Sequence, residues 1–331
     1  MPRARKNRKS LEILSDLKRR SERGLEFAKQ ALLCRQLFPQ LREALEYYTS
    51  NWENFTHPGL FSVACEAVGG DPEQNVEVQA VIAMIAAALD IHDDIIDESE
   101  TKHGRQTVFG RYGRDTSIIL GDVFLVAGLT LLAEHPSRLA VDKANEVLRI
   151  LNGSLLELGS AHALELRLKA GKSPSTGDFM SMVEKKAAGI AADMQVGAVV
   201  GGGDVEETEA LRQYGRILGM LATLREEFID VFDAEELHSR MQSNFLPLPI
   251  MCAMKNEKAK GKICRLLSKE RISRRGVEDL VELVFASKGV LNLRGQMGKL
   301  ADEGVAIACG IENNGAKKRL CELVTSTLED L

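Results

Sequence analysis

Proline placement is the feature that most limits the folds open to this chain of 331 residues. The eight prolines leave three long proline-free intervals, between residues 72 and 136, 174 and 247, and 249 and 331. Proline removes a backbone donor and clashes with the preceding turn, so its absence over such lengths favours long helices. Only 5% of the residues are aromatic, whereas strands favour aromatic and β-branched residues. The sequence therefore predicts an all-α protein.

Helical periodicity and the absence of linkers predict the domain organisation. Residues 1–10 are rich in Lys and Arg and are predicted to form a basic tail. No stretch rich in Gly, Ser or Pro divides the rest of the chain, which predicts a single all-helical domain over residues 11–331. A solvated tail is expected, and contact of its cations with anionic lipid is the alternative. Apolar residues recur at helical spacing in segments 11–48, 59–68, 76–98, 116–133, 140–169, 176–200, 208–233, 246–254 and 277–308.

Composition excludes several classes of protein. The formal charge of -5 argues against nucleic acid as the main partner. The longest apolar stretches, 78–88 and 123–133, are shorter than the ~20 residues of a bilayer span, so no transmembrane helix is expected. The six cysteines form no C-x-x-C pair and no apolar segment follows the basic start, which together predict reduced thiols in a cytoplasmic protein.

An apolar helical run ends abruptly in a group of carboxylates. Asp93 and Asp97 are four residues apart and share one helix face, with Asp94 beside them. Like charges this close are unfavourable unless a cation neutralises them, and hard oxygen ligands suit Mg²⁺. An acidic helix end that merely faces water is the alternative interpretation.

A second acidic pair repeats this spacing further along the chain. Glu226 and Asp230 are again four residues apart within an apolar helical run. Two such helices facing one another in a bundle would hold several divalent ions, as carboxylate sites in helix bundles do. Basic residues near the two segments suit an anionic ligand bridged by the metals, most simply a diphosphate. They are Lys102, Arg105, Lys185, Lys186 and Arg225.

At these positions the sequence resembles the trans-isoprenyl (polyprenyl) diphosphate synthase family. The first aspartate-rich motif is matched by His92–Ser99, and the second by Glu226–Asp230 with Glu in place of its first two aspartates. Further matches are Gly104, Thr107–Val108, Ile119–Asp122, Lys186 and Leu246–Pro247.

The resemblance implies a helical bundle around a deep central pocket, usually dimeric, that binds an allylic prenyl diphosphate through three Mg²⁺ ions. Metal ligands would come from Asp93, Asp94, Asp97, Glu226 and Asp230. Lys102 and Lys186 match positions that contact the diphosphate, and His103 falls where the family has an arginine. Ala88 and Leu89 precede the first motif where bulky aromatics stop chain growth, so a medium-to-long prenyl chain is expected. Close helix packing is the alternative reason for small residues there.

The second-substrate site departs from the family pattern. Cationic or donor groups expected to bind isopentenyl diphosphate are replaced, at Asn54, Phe55, His57, Ile85 and His103. Charge-assisted contacts to phosphate are each worth roughly 1.5–3 kcal/mol, so losing several would weaken that site by orders of magnitude.

Three functions follow from this pattern. The first is a Mg²⁺-dependent prenyltransferase that ionises an allylic diphosphate and transfers the prenyl group, using divergent contacts or another acceptor. The second is a terpene-synthase-like cyclase or hydrolase that acts without isopentenyl diphosphate. The third is a regulatory subunit of a heteromeric synthase.

Overall fold

The structure is a computed structural model that describes residues 8–102, 104–134, 139–170, 175–242, 245–268 and 272–329. It is all-α as predicted, with fifteen α-helices and one two-stranded hairpin within those ranges. His103 and residues 1–7 of the predicted basic tail lie outside the described residues. The first helix begins at Arg8, inside the segment expected to be a tail.

Two compact units make up the chain, and the prediction of a single domain stays a prediction. The N-terminal unit comprises Arg8–Leu151 and Asp193–Glu209, and the C-terminal unit comprises Asn152–Ala192 and the chain from Ala210 onward.

The N-terminal unit is built around a long apolar helix. α4 packs against α1, α3 and α5, and its first thirteen residues, Val76 to Ala88, are all buried. The elements are α1 (Arg8–Leu33), α2 (Pro39–Ser50), α3 (Thr56–Ala67), a 3₁₀ turn (Pro72–Asn75), α4 (Val76–Ile96), β1 (Thr101–Lys102), β2 (Arg105–Gln106) and α5 (Val108–Glu134).

Ten further helices follow in the described residues. They are α6 (Val141–Ala170), α7 (Thr176–Lys186), α8 (Ala188–Gly201), α9 (Val205–Asp230), α10 (Ala234–Gln242), α11 (Leu248–Ala253), α12 (Glu257–Leu267), α13 (Arg274–Phe285), α14 (Lys288–Cys309) and α15 (Asn314–Ser326). In the C-terminal unit α11 contacts α7, α13 and α14, and α14 contacts α15.

Local capping explains where several predicted helical segments divide. Segment 11–48 is two helices, because Pro39 occupies the first turn of α2 and cannot continue α1. Segment 277–308 is also two helices, because the Ser287 side chain accepts a hydrogen bond from the Val290 amide and caps α14. The Ser175 side chain caps α7 by accepting a hydrogen bond from the Asp178 amide, 3.0 Å long.

One described helical stretch, Val108–Leu132, has the length and apolar composition of a membrane span, although the sequence analysis expected none. Of its most apolar window, 44% is buried. Gly113 interrupts the helix there with a φ of 80°, a conformation that glycine adopts without strain. The core helix of a soluble protein can have the same length and apolar composition.

Candidate active site

The first acidic group lies at the C-terminal end of α4, in the N-terminal unit. The amide of Asp97 donates to the carbonyl of Asp93 (2.9 Å), so the two residues stand one helical turn apart as predicted. Asp93 is half-buried, Asp97 is exposed and Asp94 is buried. Glu98 has a φ of 51°, in the left-handed region, and the chain turns away from the helix axis there.

The hairpin that follows places a cation against this helix end. Lys102 lies on β1, and its Nζ is 2.5 Å from Oδ1 of Asp90 and 3.5 Å from Oδ1 of Asp94. Burial lowers the pKa of Lys102, but the two carboxylates outweigh it and the pKa is raised. Burial raises the pKa of Asp94 to about 6 even though Lys102 opposes the change. The charge of Lys102 is therefore already balanced by carboxylates of its own unit.

Asp90 was not among the predicted site residues. Its Oδ2 is 3.5 Å from the hydroxyl of Tyr48, whose pKa is raised by burial and by the charge of Asp90. Asp90 and Asp94 are four residues apart, the same spacing that singled out Asp93 and Asp97. This spacing is the signal in the sequence that points to Asp90.

The second acidic group lies at the end of α9, in the C-terminal unit. Glu226 is exposed, whereas Glu227 is buried and Asp230 is half-buried. Arg240 on α10 contacts Oε1 of Glu227 (2.8 Å) and Oδ2 of Asp230 (2.5 Å). The other oxygen of Glu227 accepts from the amide of Leu248 (3.0 Å). This group is therefore joined to the start of α11 by an internal network.

The pKa values of Arg240 and Asp230 are both raised, which favours the charged form of the arginine and disfavours that of the carboxylate. Burial lowers the pKa of Arg240, but Glu227 and Asp230 outweigh it and raise the pKa. Burial raises the pKa of Asp230, and Arg240 only partly offsets the rise. Arg240 was not predicted as a site residue, because a local sequence pattern does not indicate a contact between separate helices.

Two predicted diphosphate contacts have partners within the C-terminal unit. Lys186, the last residue of α7, lies 2.5 Å from Oε2 of Glu165 on α6. Burial raises the pKa of Glu165, but Lys186 and Lys169 outweigh it and lower the pKa. Arg225 donates to the backbone carbonyls of Thr327 (3.2 Å) and Glu329 (2.5 Å). Binding of a substrate by Lys186 and Arg225 stays a prediction.

The residues expected to set product length lie on α4. Ala88 is completely buried and Leu89 is half-buried. Both helix packing and a chain-length wall remain compatible with a buried Ala88.

A histidine–aspartate pair, half-buried at His57 and buried at Asp193, includes one position where the sequence departs from the family pattern. Nδ1 of His57, on α3, is 2.6 Å from Oδ2 of Asp193, on α8, and both belong to the N-terminal unit. Burial lowers the pKa of His57, but Asp193 and, more weakly, Asp90 raise it overall. Local sequence patterns do not predict this pair, because 136 residues separate its members.

The donor set suits a divalent ion of the Mg²⁺ type. In the part of the chain that the structure describes, no three His, Cys, Asp or Glu side chains form a ready-made metal site. Mg²⁺ does not require one, because it is usually held by one or two carboxylates together with water and substrate phosphate oxygens. Asp93 and Asp97 offer two such carboxylates one turn apart.

Known proteins resemble this chain over most of its length. The short chain isoprenyl diphosphate synthase of Methanothermobacter thermautotrophicus is 28% identical over 228 residues, 68% of this chain and 69% of that protein. The geranylgeranyl diphosphate synthase of Methanosarcina mazei is 24% identical over 240 residues, 71% of this chain and 72% of that protein.

Solved structures share the fold over nearly the whole chain. Geranylgeranyl pyrophosphate synthetase from Pyrococcus horikoshii Ot3 aligns with a TM-score of 0.83 at 20% identity, covering 97% of this chain and 99% of that one. Polyprenyl synthase from Caulobacter crescentus CB15, solved with calcium and isoprenyl diphosphate, aligns with a TM-score of 0.80 at 21% identity, covering 96% and 97%.

The family model described as polyprenyl synthetase matches residues 38–284, which include both acidic groups. The chain therefore belongs to the polyprenyl synthetase family and is a prenyltransferase.

Proposed function

We propose that this prenyltransferase binds an allylic prenyl diphosphate at the acidic end of α4, with Mg²⁺, and transfers its prenyl group to an acceptor. The observation that carries the proposal is the placement of Asp93 and Asp97 one helical turn apart at the end of a buried helix. Asp94, Glu226 and Asp230 are the remaining proposed ligands, and three ions are proposed with diphosphate bound. Bound Mg²⁺ would supply Lewis-acid stabilisation of the charge on the departing diphosphate.

The protein's own residues have defined tasks in this proposal. Asp93 and Asp97 hold the metal ions and thereby orient the diphosphate. Lys102 and Lys186 offer cations for the phosphate oxygens, and the diphosphate would compete for each lysine with the carboxylate that it now contacts. The buried stretch of α4 before the motif excludes water from the prenyl chain, which protects an allylic cation from hydrolysis.

The test is a product assay on the purified chain with Mg²⁺. Geranyl, farnesyl and geranylgeranyl diphosphate are supplied in turn, with and without isopentenyl diphosphate, and diphosphate release is followed. Release that yields prenylated products supports transfer. Release that yields only hydrocarbons or alcohols supports the terpene-synthase-like alternative, and no release until a partner synthase is added supports the regulatory subunit.

The Asp93→Ala variant separates the metal assignment from the rest of the proposal. Loss of one of the paired ligands should abolish release, whereas Asp115→Asn, on the exposed surface of α5, should not change the rate. A wild-type rate in Asp93→Ala would contradict the assignment of the metal site.

Product length is proposed to be medium to long, because Ala88 places no bulk on α4 one turn before Ile91 and His92. Ala88→Phe should shorten the products. Because Ala88 is completely buried, the free energy of unfolding of this variant must be measured together with its products.

A homodimer is proposed through an apolar face of α5 in the N-terminal unit. Ile118, Ile119 and Val126 are exposed there by 42%, 53% and 58%. Large apolar side chains grouped in this way on one helix favour a protein contact over water.

A further inference from the structure

The helices α14 and α15 form a hairpin in the C-terminal unit. α14 ends at Cys309 and α15 begins at Asn314, so four residues connect them. The two helices pack against each other, and helices joined by so short a connection run antiparallel. Their approach is close, because a Cβ added at Gly304 of α14 would lie 2.8 Å from Cγ2 of Val324 on α15. Residues that follow Gly304 on α14 therefore lie beside residues that precede Val324 on α15.

Two cysteines lie on this hairpin, one on each helix. Cys309 is the last residue of α14 and Cys321 lies within α15. Each follows a completely buried residue, Ala308 and Leu320 respectively. Cys309 is exposed and Cys321 is half-buried, and their thiols are hydrogen-bonded to each other. The pair therefore lies at the edge of the packed interior, where a small solute can reach the first thiol.

The other four cysteines lie in separate elements. Cys34 follows α1, Cys65 lies in α3, Cys252 in α11 and Cys264 in α12. Cys65 and Cys252 are buried, whereas Cys34 and Cys264 are exposed. Cys264 thus shares the accessibility of Cys309 and the C-terminal unit, but not the hairpin. This makes it a matched control for the pair.

The two thiols of the hairpin differ in how readily they react. Burial raises the pKa of the Cys321 thiol and Cys309 raises it further, whereas Lys317 partly opposes the rise. Because the thiolate is the nucleophile, Cys321 is a poor target for an oxidant from solution. The exposed Cys309 is the thiol that such an oxidant meets first, and Cys321 is placed to resolve the product.

We propose that Cys309 and Cys321 form a redox-responsive dithiol, which a peroxide converts to a disulfide that anchors α15 on α14. Contact between the thiols, the exposure of one of them and the close antiparallel packing support the proposal. A disulfide requires its two residues to be close together in this way. The inference goes beyond the proposed function and does not depend on the prenyl donor or the acceptor.

The reaction balances with hydrogen peroxide as the oxidant. The Cys309 sulfur attacks one peroxide oxygen, the O–O bond breaks, and a sulfenic acid and one water form. The Cys321 sulfur then attacks the Cys309 sulfur, the S–O bond breaks, and a second water leaves with the proton of the Cys321 thiol. Two thiols are oxidised by two electrons in total, and the peroxide is reduced to two waters.

The disulfide would act on a helix that contacts α9, which carries the second acidic group. The hydroxyl of Tyr214 on α9 donates to the carbonyl of Leu320 (2.7 Å), the residue before Cys321. Arg225, also on α9, donates to two backbone carbonyls beyond the end of α15. Anchoring α15 would therefore fix the backbone groups that hold these two side chains of α9.

Tryptic peptides of the full-length protein report the disulfide. Trypsin cleaves after Lys and Arg, so Cys309 lies in peptide 300–317 and Cys321 in peptide 320–331. Reduced protein is treated with hydrogen peroxide, alkylated and digested without reductant. We expect one linked species of these two peptides and the loss of both thiols of the pair, and dithiothreitol should reverse both changes.

Variants and hydrogen exchange separate the disulfide from general oxidation. Cys309→Ser and Cys321→Ser should each abolish the linked species, whereas Cys264→Ser should leave it unchanged. In the oxidised wild type, amide exchange of α15 through local opening should slow by about 100-fold, as expected when a loop of this length is closed. Cys309→Ser should show no such slowing. Because Cys309 is exposed, this variant tests the proposal even if Cys321→Ser does not fold.

Three results would overturn the inference. They are the absence of the linked species at a peroxide dose that oxidises Cys264, equal loss of thiols in the wild type and Cys309→Ser, and unchanged exchange of α15 after the disulfide has formed. These measurements require no substrate and no turnover. Their failure is therefore distinct from a failure of the proposed function, which the product assay tests.

Discussion

Replacing Arg240 by glutamine should destabilise the C-terminal unit strongly. Arg240 is the cation between Glu227, Asp230 and Glu236, and its side chain is only 15% exposed. Glu227 is more buried still, with 8% of its side chain exposed. Removing one partner of a buried ion pair leaves an uncompensated charge, which costs about 3–5 kcal/mol. We expect a loss near the lower bound, about 3 kcal/mol, because Asp230 retains 19% exposure.

Urea unfolding followed by circular dichroism measures this loss through the shift in midpoint at constant slope. Arg265→Gln is the matched control, because Arg265 is an exposed arginine of the same unit. Its replacement should change the free energy of unfolding by no more than about 0.5 kcal/mol.

A double variant identifies the cause of the loss. Glu227→Gln removes the buried charge but keeps an oxygen that accepts from the amide of Leu248. Combined with Arg240→Gln, it should recover part of the stability, so the two effects should not add. A loss below about 1 kcal/mol in Arg240→Gln, or strict additivity in the double variant, would refute the view that this cluster is held by desolvated charge.

Three further predictions concern other parts of the molecule. The folded-state pKa of His57 is raised above its usual 6.5, so the stability that protonated His57 contributes is complete below pH 6.5 and is lost as the pH rises through the raised pKa. The free energy of unfolding of His57→Gln should lack this pH dependence. An identical pH dependence in both proteins would contradict the prediction. Ile119→Glu should convert a dimer to a monomer in light scattering, since Ile119 is 53% exposed on the proposed contact face; an unchanged mass would place the contact elsewhere. Gly219→Ala should lower the melting temperature, because the added Cβ would come within 2.9 Å of the backbone between α7 and α8. The added Cβ of Gly153→Ala meets nothing within 4 Å, so this variant should be neutral or stabilised by about 1 kcal/mol. Equal effects of the two variants would show that close packing at Gly219 does not limit stability.

The helical class and the first acidic group could be predicted because their causes are local. Proline-free length and apolar periodicity determine that α4 is a helix, and the spacing of Asp93 and Asp97 determines that they stand one turn apart. Some of the shorter helices were less predictable. α10, α12 and α15 were not predicted, because short, polar, amphipathic helices are weakly distinguished from loops by pattern alone.

The partners of the site residues could not be predicted from sequence. The contact of Lys102 with Asp90 depends on the turn at Glu98 and on the hairpin, which fold the chain back over α4. The contact of Arg240 with Glu227 depends on the direction of α10 after α9. Such contacts follow from the path of the backbone, which local patterns do not specify.

Both acidic groups occupy the last turn of their helices, since α4 ends at Ile96 and α9 ends at Asp230. The C-terminal end of a helix carries a partial negative charge from its aligned peptide dipoles, so carboxylates placed there are disfavoured by the backbone as well as by one another. Lys102 offsets this field at the first helix end and Arg240 at the second. If Asp94 and Asp230 serve as metal ligands, as we propose, an ion would compete with Lys102 for the first carboxylate and with Arg240 for the second.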